Sequence, residues 1–82
     1  GLVPGDSIAD ATLQRDTWTI ASIFASRGCA TPKPVDSQIV APLKDGKWTE
    51  RWVVDSCGTR INFRIDFTRT ADGGTDYAIK VE

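Results

Sequence analysis

Between Ser7 and Arg27 the apolar positions recur at helical spacing: Leu13, Thr17, Ile20 and Phe24, with Ala21 and Ile23 widening the stripe. The pattern predicts a helix over residues 7–27 with that stripe turned toward the core. Ser7 and Asp10 stand in a capping-box arrangement in which Asp replaces the usual Glu or Gln. Arg27 favours a helix end, and Gly28 suits the left-handed residue just past it. A further signal is internal. Asp16 can cap a second helix after a break near Gln14-Arg15, so one bent helix and two short ones both satisfy the pattern. After Cys29, Pro32 and Pro34 mark an extended connector.

Beyond the connector the period changes to two. Apolar and polar residues alternate through four segments, roughly 36–43, 47–56, 60–69 and 75–81. Asp45-Gly46 is a strong two-residue hairpin signal, Cys57-Gly58 can close a second hairpin, and Ala71 to Gly74 makes a longer third turn. Centring the hairpins on these turns sets a register. The first pairs Leu43 with Trp48, Ala41 with Glu50 and Ile39 with Trp52. The second pairs Val54 with Ile61, Trp52 with Phe63, Glu50 with Ile65 and Trp48 with Phe67. The third pairs Phe67 with Tyr77, Ile65 with Ile79 and Phe63 with Val81. Three independently placed turns thus gather nearly every large apolar side chain of the strands on one face. The expected fold is α+β: an N-terminal helix, whole or broken in two, packed on a four-stranded antiparallel meander.

The chain has 82 residues, enough for a single domain over residues 1–82 and one core, and a core of that size is marginal without a covalent tie. Cys29 ends the helical segment and Cys57 sits at the tip of the second hairpin, so the topology brings both to one end of the domain. A disulfide between them is expected, and with it an oxidising compartment, periplasmic or extracellular. The C-x-x-C spacing of a redox pair is missing. The opening GLVPGDS has neither a charged nor an apolar leader region and reads as a mature or trimmed start.

The sequence contains no His, which removes His-based nucleophile pairs and metal sites, and no glycine-rich phosphate loop stands in it. No catalytic, metal-ligating or cofactor-binding set emerges, and no cofactor is expected. A net charge of −1 gives no general attraction to nucleic acid or to anionic membranes, and no apolar run is long enough to span a bilayer.

The helix ending in Arg27-Gly28-Cys29, then W-x-E-R-W-x-V-D-x-C-G over Trp48–Gly58, then Phe67-Thr68 and Gly73-Gly74-Thr75, resembles small exported bacterial proteins over about the last 55 residues. That resemblance implies export and brings no activity with it. The layout of helix, four antiparallel strands and one disulfide also resembles one repeat of the β-lactamase inhibitory protein fold, in architecture and without a shared motif.

Three features invite a role. Glu50 falls on the apolar face between Trp48 and Trp52, where a carboxylate without partners is costly. Either a bulge in the second strand turns it out or the helix leaves it uncovered; or it bonds a helix side chain such as Arg15 or a Trp N–H; or it works in a pocket. Arg51, Arg64 and Lys80 line up across three strands on the polar face, a row of like charges that suits a carboxylate-bearing protein partner unless Asp55, Asp66 and Glu82 ease it. The fourth strand is an edge without proline, open to another chain or a second copy, whereas Pro42 blunts the first. The function expected from these is a non-enzymatic exported binding or accessory module using its sheet face or fourth-strand edge. The alternatives are a secreted inhibitor or immunity-type protein and a small hydrolase built on carboxylates such as Glu50 and Asp55.

Overall fold

Asp10 starts the helix. Its side chain accepts the Leu13 N–H at 2.8 Å, and one unbroken helix, α1, follows over Ala11–Ala25. The structure, a computed structural model, describes residues 3–82; Gly1 and Leu2, the first residues of the stretch read as a trimmed start, lie outside the described residues. The helix is shorter than the 7–27 pattern suggested because Ser7 is not its cap. The Ser7 hydroxyl instead accepts the Ala9 N–H in a turn that precedes the helix. Asp16 caps nothing; it lies inside α1.

Four strands complete the fold, β1 (Lys33–Lys44), β2 (Lys47–Ser56), β3 (Thr59–Arg69) and β4 (Thr75–Val81), antiparallel and in sequential order. Asp45 and Gly46 (φ 54° and 77°) and Cys57 and Gly58 (φ 51° and 91°) are pairs of left-handed residues, the requirement of the tight turns whose twist matches a hairpin. Those turns impose the expected pairings on β2–β3, among them Trp52 with Phe63 and Glu50 with Ile65, and β3–β4 pairs Phe67 with Tyr77 and Ile65 with Ile79.

The β1–β2 register differs from expectation. It starts correctly at Lys44 opposite Lys47, then breaks at three irregularities, each with an extra residue on β1. After the first, Ala41 lies opposite Thr49 and not Glu50; after the second, Ile39 faces Glu50 and Ser37 faces Trp52. Leu43 is consequently exposed instead of lying in the core.

α1 packs on the face that carries Trp48, Trp52, Val54, Phe63, Ile65 and Phe67. It crosses diagonally: the Tyr77 hydroxyl on β4 donates to the Asp16 carbonyl at 3.3 Å, and the Ser56 hydroxyl on β2 donates to the Ala25 carbonyl at 2.7 Å. The helix turns its small and polar residues inward. Gln14, Thr17, Ala21 and Ala25 are buried, whereas Ile20, Ile23 and Phe24, expected inside, are exposed. Close approach to a sheet studded with aromatic rings favours Ala at the Ala21 and Ala25 contacts and displaces Ile20, Ile23 and Phe24 outward, while Leu13 and Trp18 still pack against the edge of the core.

Cys29 and Cys57 are bonded across a sequence separation of 28, tying the end of α1 to the β2–β3 turn. No helix among the described residues is long and apolar enough to cross a membrane.

Candidate functional site

Glu50 occupies the centre of the buried face with no exposed surface. No bulge turns it out, because β2 pairs with β3 without interruption and the irregularities belong to β1. Residues 48, 50 and 52 project from one face of the strand, so both indoles flank the carboxylate. Trp48 Nε1 donates to Oε2 at 2.7 Å and Trp52 Nε1 to Oε1 at 2.8 Å. A third donor comes from outside the sheet: the Ile8 backbone N–H reaches Oε2 at 3.2 Å. An acceptor-only group thus meets donor-only groups. Arg15, named as a helix partner for Glu50, lies on the exposed side of α1.

The Ile8 donor belongs to a strap, residues 3–9, that lies across the sheet ahead of α1. Ser37 on β1 anchors it, accepting the Ser7 N–H at 2.9 Å and donating to the Pro4 carbonyl at 2.7 Å, while its own carbonyl accepts the Asp6 N–H at 3.0 Å. Gln14 holds the other side, accepting the Val3 N–H at 3.0 Å and donating to the Ala9 carbonyl at 2.8 Å. Gly5 adopts φ 96°, and a Cβ there would come within 2.5 Å of the Ser37 carbonyl, so only glycine lets the strap lie this close. Sequence reasoning missed this element. Its signals were the polar side chains Ser37 and Gln14 at positions that fall on inward faces.

Trp48 joins the carboxylate to the surface. It stacks on Phe67 with ring centroids 4.7 Å apart, and the Arg69 guanidinium lies 5.5 Å from its ring. A cleft of about 410 Å³ opens beside it, between the strap, the start of α1 and the β3–β4 turn. The Asp10 carboxylate in that cleft is already engaged in capping. Asp55, paired with Glu50 in the hydrolytic reading, projects from the opposite face of β2 and accepts the Gly58 N–H at 2.9 Å, so the two carboxylates do not converge.

On the open face the register does align Arg51, Arg64 and Lys80 across β2, β3 and β4. Carboxylates interrupt the row. Arg51 Nε meets Glu82 Oε1 at 2.7 Å and Nη2 meets Oε2 at 3.2 Å, a two-pronged pair. The hydrogen bond from Arg51 holds the Glu82 carboxyl below its ordinary range, and the same bond raises the guanidinium. Arg64 Nε lies 3.7 Å from Asp66 and has no hydrogen-bond partner among the described residues. Lys80 forms no ion pair there.

The exposed flank of α1 is a second surface. Ile23 and Phe24 lie three and four residues after Ile20, with exposures of 38%, 62% and 41% along the chain, and Arg27 closes the stripe with its guanidinium 5.7 Å from the Phe24 ring. Comparison with models of protein families, with curated proteins and with solved structures finds no match for this chain.

Proposed function

We propose that the protein is an exported, non-enzymatic binding module that uses the outer flank of α1 to hold a protein partner. The carrying observation is the inversion of the helix: Ala21 and Ala25 are buried while Ile20, Ile23 and Phe24 face outward. Contiguous apolar side chains on a monomer's surface commonly mark an interaction site. The disulfide suits an oxidising compartment, in keeping with export. The partner's complementary surface is apolar with a carboxylate set to meet Arg27, by charge complementarity at the end of the stripe. Glu50 has a structural role in this reading, holding the two indoles and the strap that fix the face beneath α1.

A second reading rests on Arg64, whose Nε has no hydrogen-bond partner among the described residues, and on Lys80 beside it. An acidic protein partner laid on the open face would satisfy both.

One experiment separates the readings. Immobilised protein is used to capture partners from envelope extract, alongside Ile23→Ser and Arg64→Gln. Ile23→Ser should leave stability within about 0.5 kcal/mol, as surface changes do, and weaken capture roughly 5- to 30-fold, the range of a truncated interface anchor. Arg64→Gln should leave capture intact and shift stability by no more than a few tenths of a kcal/mol, because cross-strand pairs are worth about 0.2–1. The reverse pattern of capture would move the site to the cationic row. Capture unchanged by both would remove both surfaces. A loss above about 1 kcal/mol in Arg64→Gln would make Arg64 a structural partner of Asp66.

A further inference from the structure

We infer that two copies of the chain associate through their β4 edges, antiparallel, in a register centred on Ala78. The inference goes beyond the binding surface on α1 and uses none of its exposed residues.

The direction of the backbone groups comes first. The Glu82 N–H donates to the Asn62 carbonyl and the Thr70 N–H to the Gly74 carbonyl. Backbone groups alternate sides along an antiparallel strand. Asp76, Ala78, Lys80 and Glu82 therefore point theirs at β3, and Thr75, Tyr77, Ile79 and Val81 point theirs off the edge of the sheet. The two edges differ. β1 carries Pro34, Pro42 and three register irregularities, devices that discourage pairing; β4 has no proline and pairs with β3 without a shift.

A symmetric pairing must match outward residues with outward residues. Centred on Ala78, it sets Thr75 against Val81 and Tyr77 against Ile79 of the second copy, so every outward residue gains a hydrogen-bonded partner. On the open face it sets Asp76 against Lys80 of the second copy, and symmetry repeats that ion pair. The two Ala78 residues face each other at a narrow pair, where methyl groups fit. Neighbouring registers are poorer. Centring on Tyr77 sets Lys80 against Gly74; centring on Ile79 sets Asp76 against Glu82; centring on Asp76 or Lys80 places like charges face to face.

The same symmetry addresses an uncovered residue of the apolar face. Val81 is opposite Phe63 on the helix-covered face, yet it is 55% exposed because α1 leaves β4 on its way to β2. Pairing about Ala78 brings the half of β4 that lies under the start of one α1 beside the uncovered Val81 of the other copy.

Sedimentation equilibrium on the full chain tests this. The wild type should show a reversible dimer, and Asp76→Lys and Lys80→Asp should each weaken it at least tenfold by opposing like charges. Mixed together, these two variants should form a dimer with each other, since each then meets opposite charges at both positions. Ala78→Cys should yield a dimer linked through residue 78 under oxidising conditions, a readout that keeps the wild-type charges. Ile23→Ser should leave the dimer unchanged. A wild type that stays monomeric at its highest soluble concentration overturns the inference. So does a dimer indifferent to the charge changes, or an Ala78→Cys chain that does not cross-link.

Discussion

Replacing Glu50 by alanine should cost about 3–5 kcal/mol, the range for removing one partner from a buried polar cluster of this kind. Glu50 is fully buried and accepts from Trp48, Trp52 and Ile8. Alanine leaves two buried indole N–H groups and the half-buried Ile8 N–H without their acceptor, as well as a void. Glutamine is the sharper test because it keeps the shape. Its amide has one acceptor and one donor end, so at least one of the three N–H groups must face another donor, for a loss of about 1–3 kcal/mol. Urea unfolding followed by tryptophan fluorescence measures both.

The same arrangement predicts coupling. Trp52→Phe removes the indole donor to Oε1, so in that background Glu50→Gln should cost less than in the wild type, by about 0.5–3 kcal/mol. Loosening should also reach the strap, and the Ile8 amide should exchange faster in Glu50→Gln than the amides of β3. Additive losses would separate Trp52 from Glu50. A loss below about 1 kcal/mol in Glu50→Ala would mean that the carboxylate is not the hub of this core.

Which parts of this were legible in the sequence follows from the range of the forces involved. The β2–β3 pairing was legible because a two-residue turn of left-handed residues, Cys57 and Gly58, fixes every pair that follows it. The Asp45-Gly46 turn fixed Lys44 opposite Lys47 equally well, but Pro34 and Pro42, which stand at two of the three irregularities, mark a strand edge as readily as a bulge, and each extra residue flips the faces beyond it. The outward stripe of α1 was illegible for a different reason. Apolar periodicity identifies Ile20 and Phe24 as a face and does not say whether the chain or a partner covers it. The strap was least legible of all, since residues 3–9 are held by side chain-to-backbone bonds to Ser37 and Gln14, distant in sequence and without a periodic pattern. A Trp N–H was among the expected partners of Glu50; the donor from Ile8 was not, because it depends on that strap. The Arg51–Arg64–Lys80 row was placed correctly by register, while the two-pronged bond to Glu82 depends on side-chain reach between strands two apart.

The disulfide should carry a comparable share of the stability, and its removal has a test specific to this turn. Closing a loop between residues 28 apart stabilises by about 3–4 kcal/mol in the chain-entropy model, a large fraction of what a domain this size holds in total. The double variant Cys29→Ala with Cys57→Ala should lose about that much; Cys57 sits at φ 51° in a tight turn, and alanine there keeps the left-handed backbone cost of about 1 kcal/mol that the cysteine already carries. Asparagine is at home in that conformation. Cys29→Ala with Cys57→Asn should therefore be more stable than the double alanine variant by about 0.5–1 kcal/mol, although neither has the bridge. Because the bridge acts largely by restricting the unfolded chain, both variants should also show a steeper dependence on urea than the wild type, having more surface to expose. Chemical shifts of the β2–β3 strands should stay close to native in both. Equal stability of the alanine and asparagine variants would show that the turn relaxes out of its left-handed conformation once the sulfurs are gone. A total loss below about 1 kcal/mol would show that Ser56 bonding the Ala25 carbonyl, together with the packing under α1, already holds this end of the domain without the bridge.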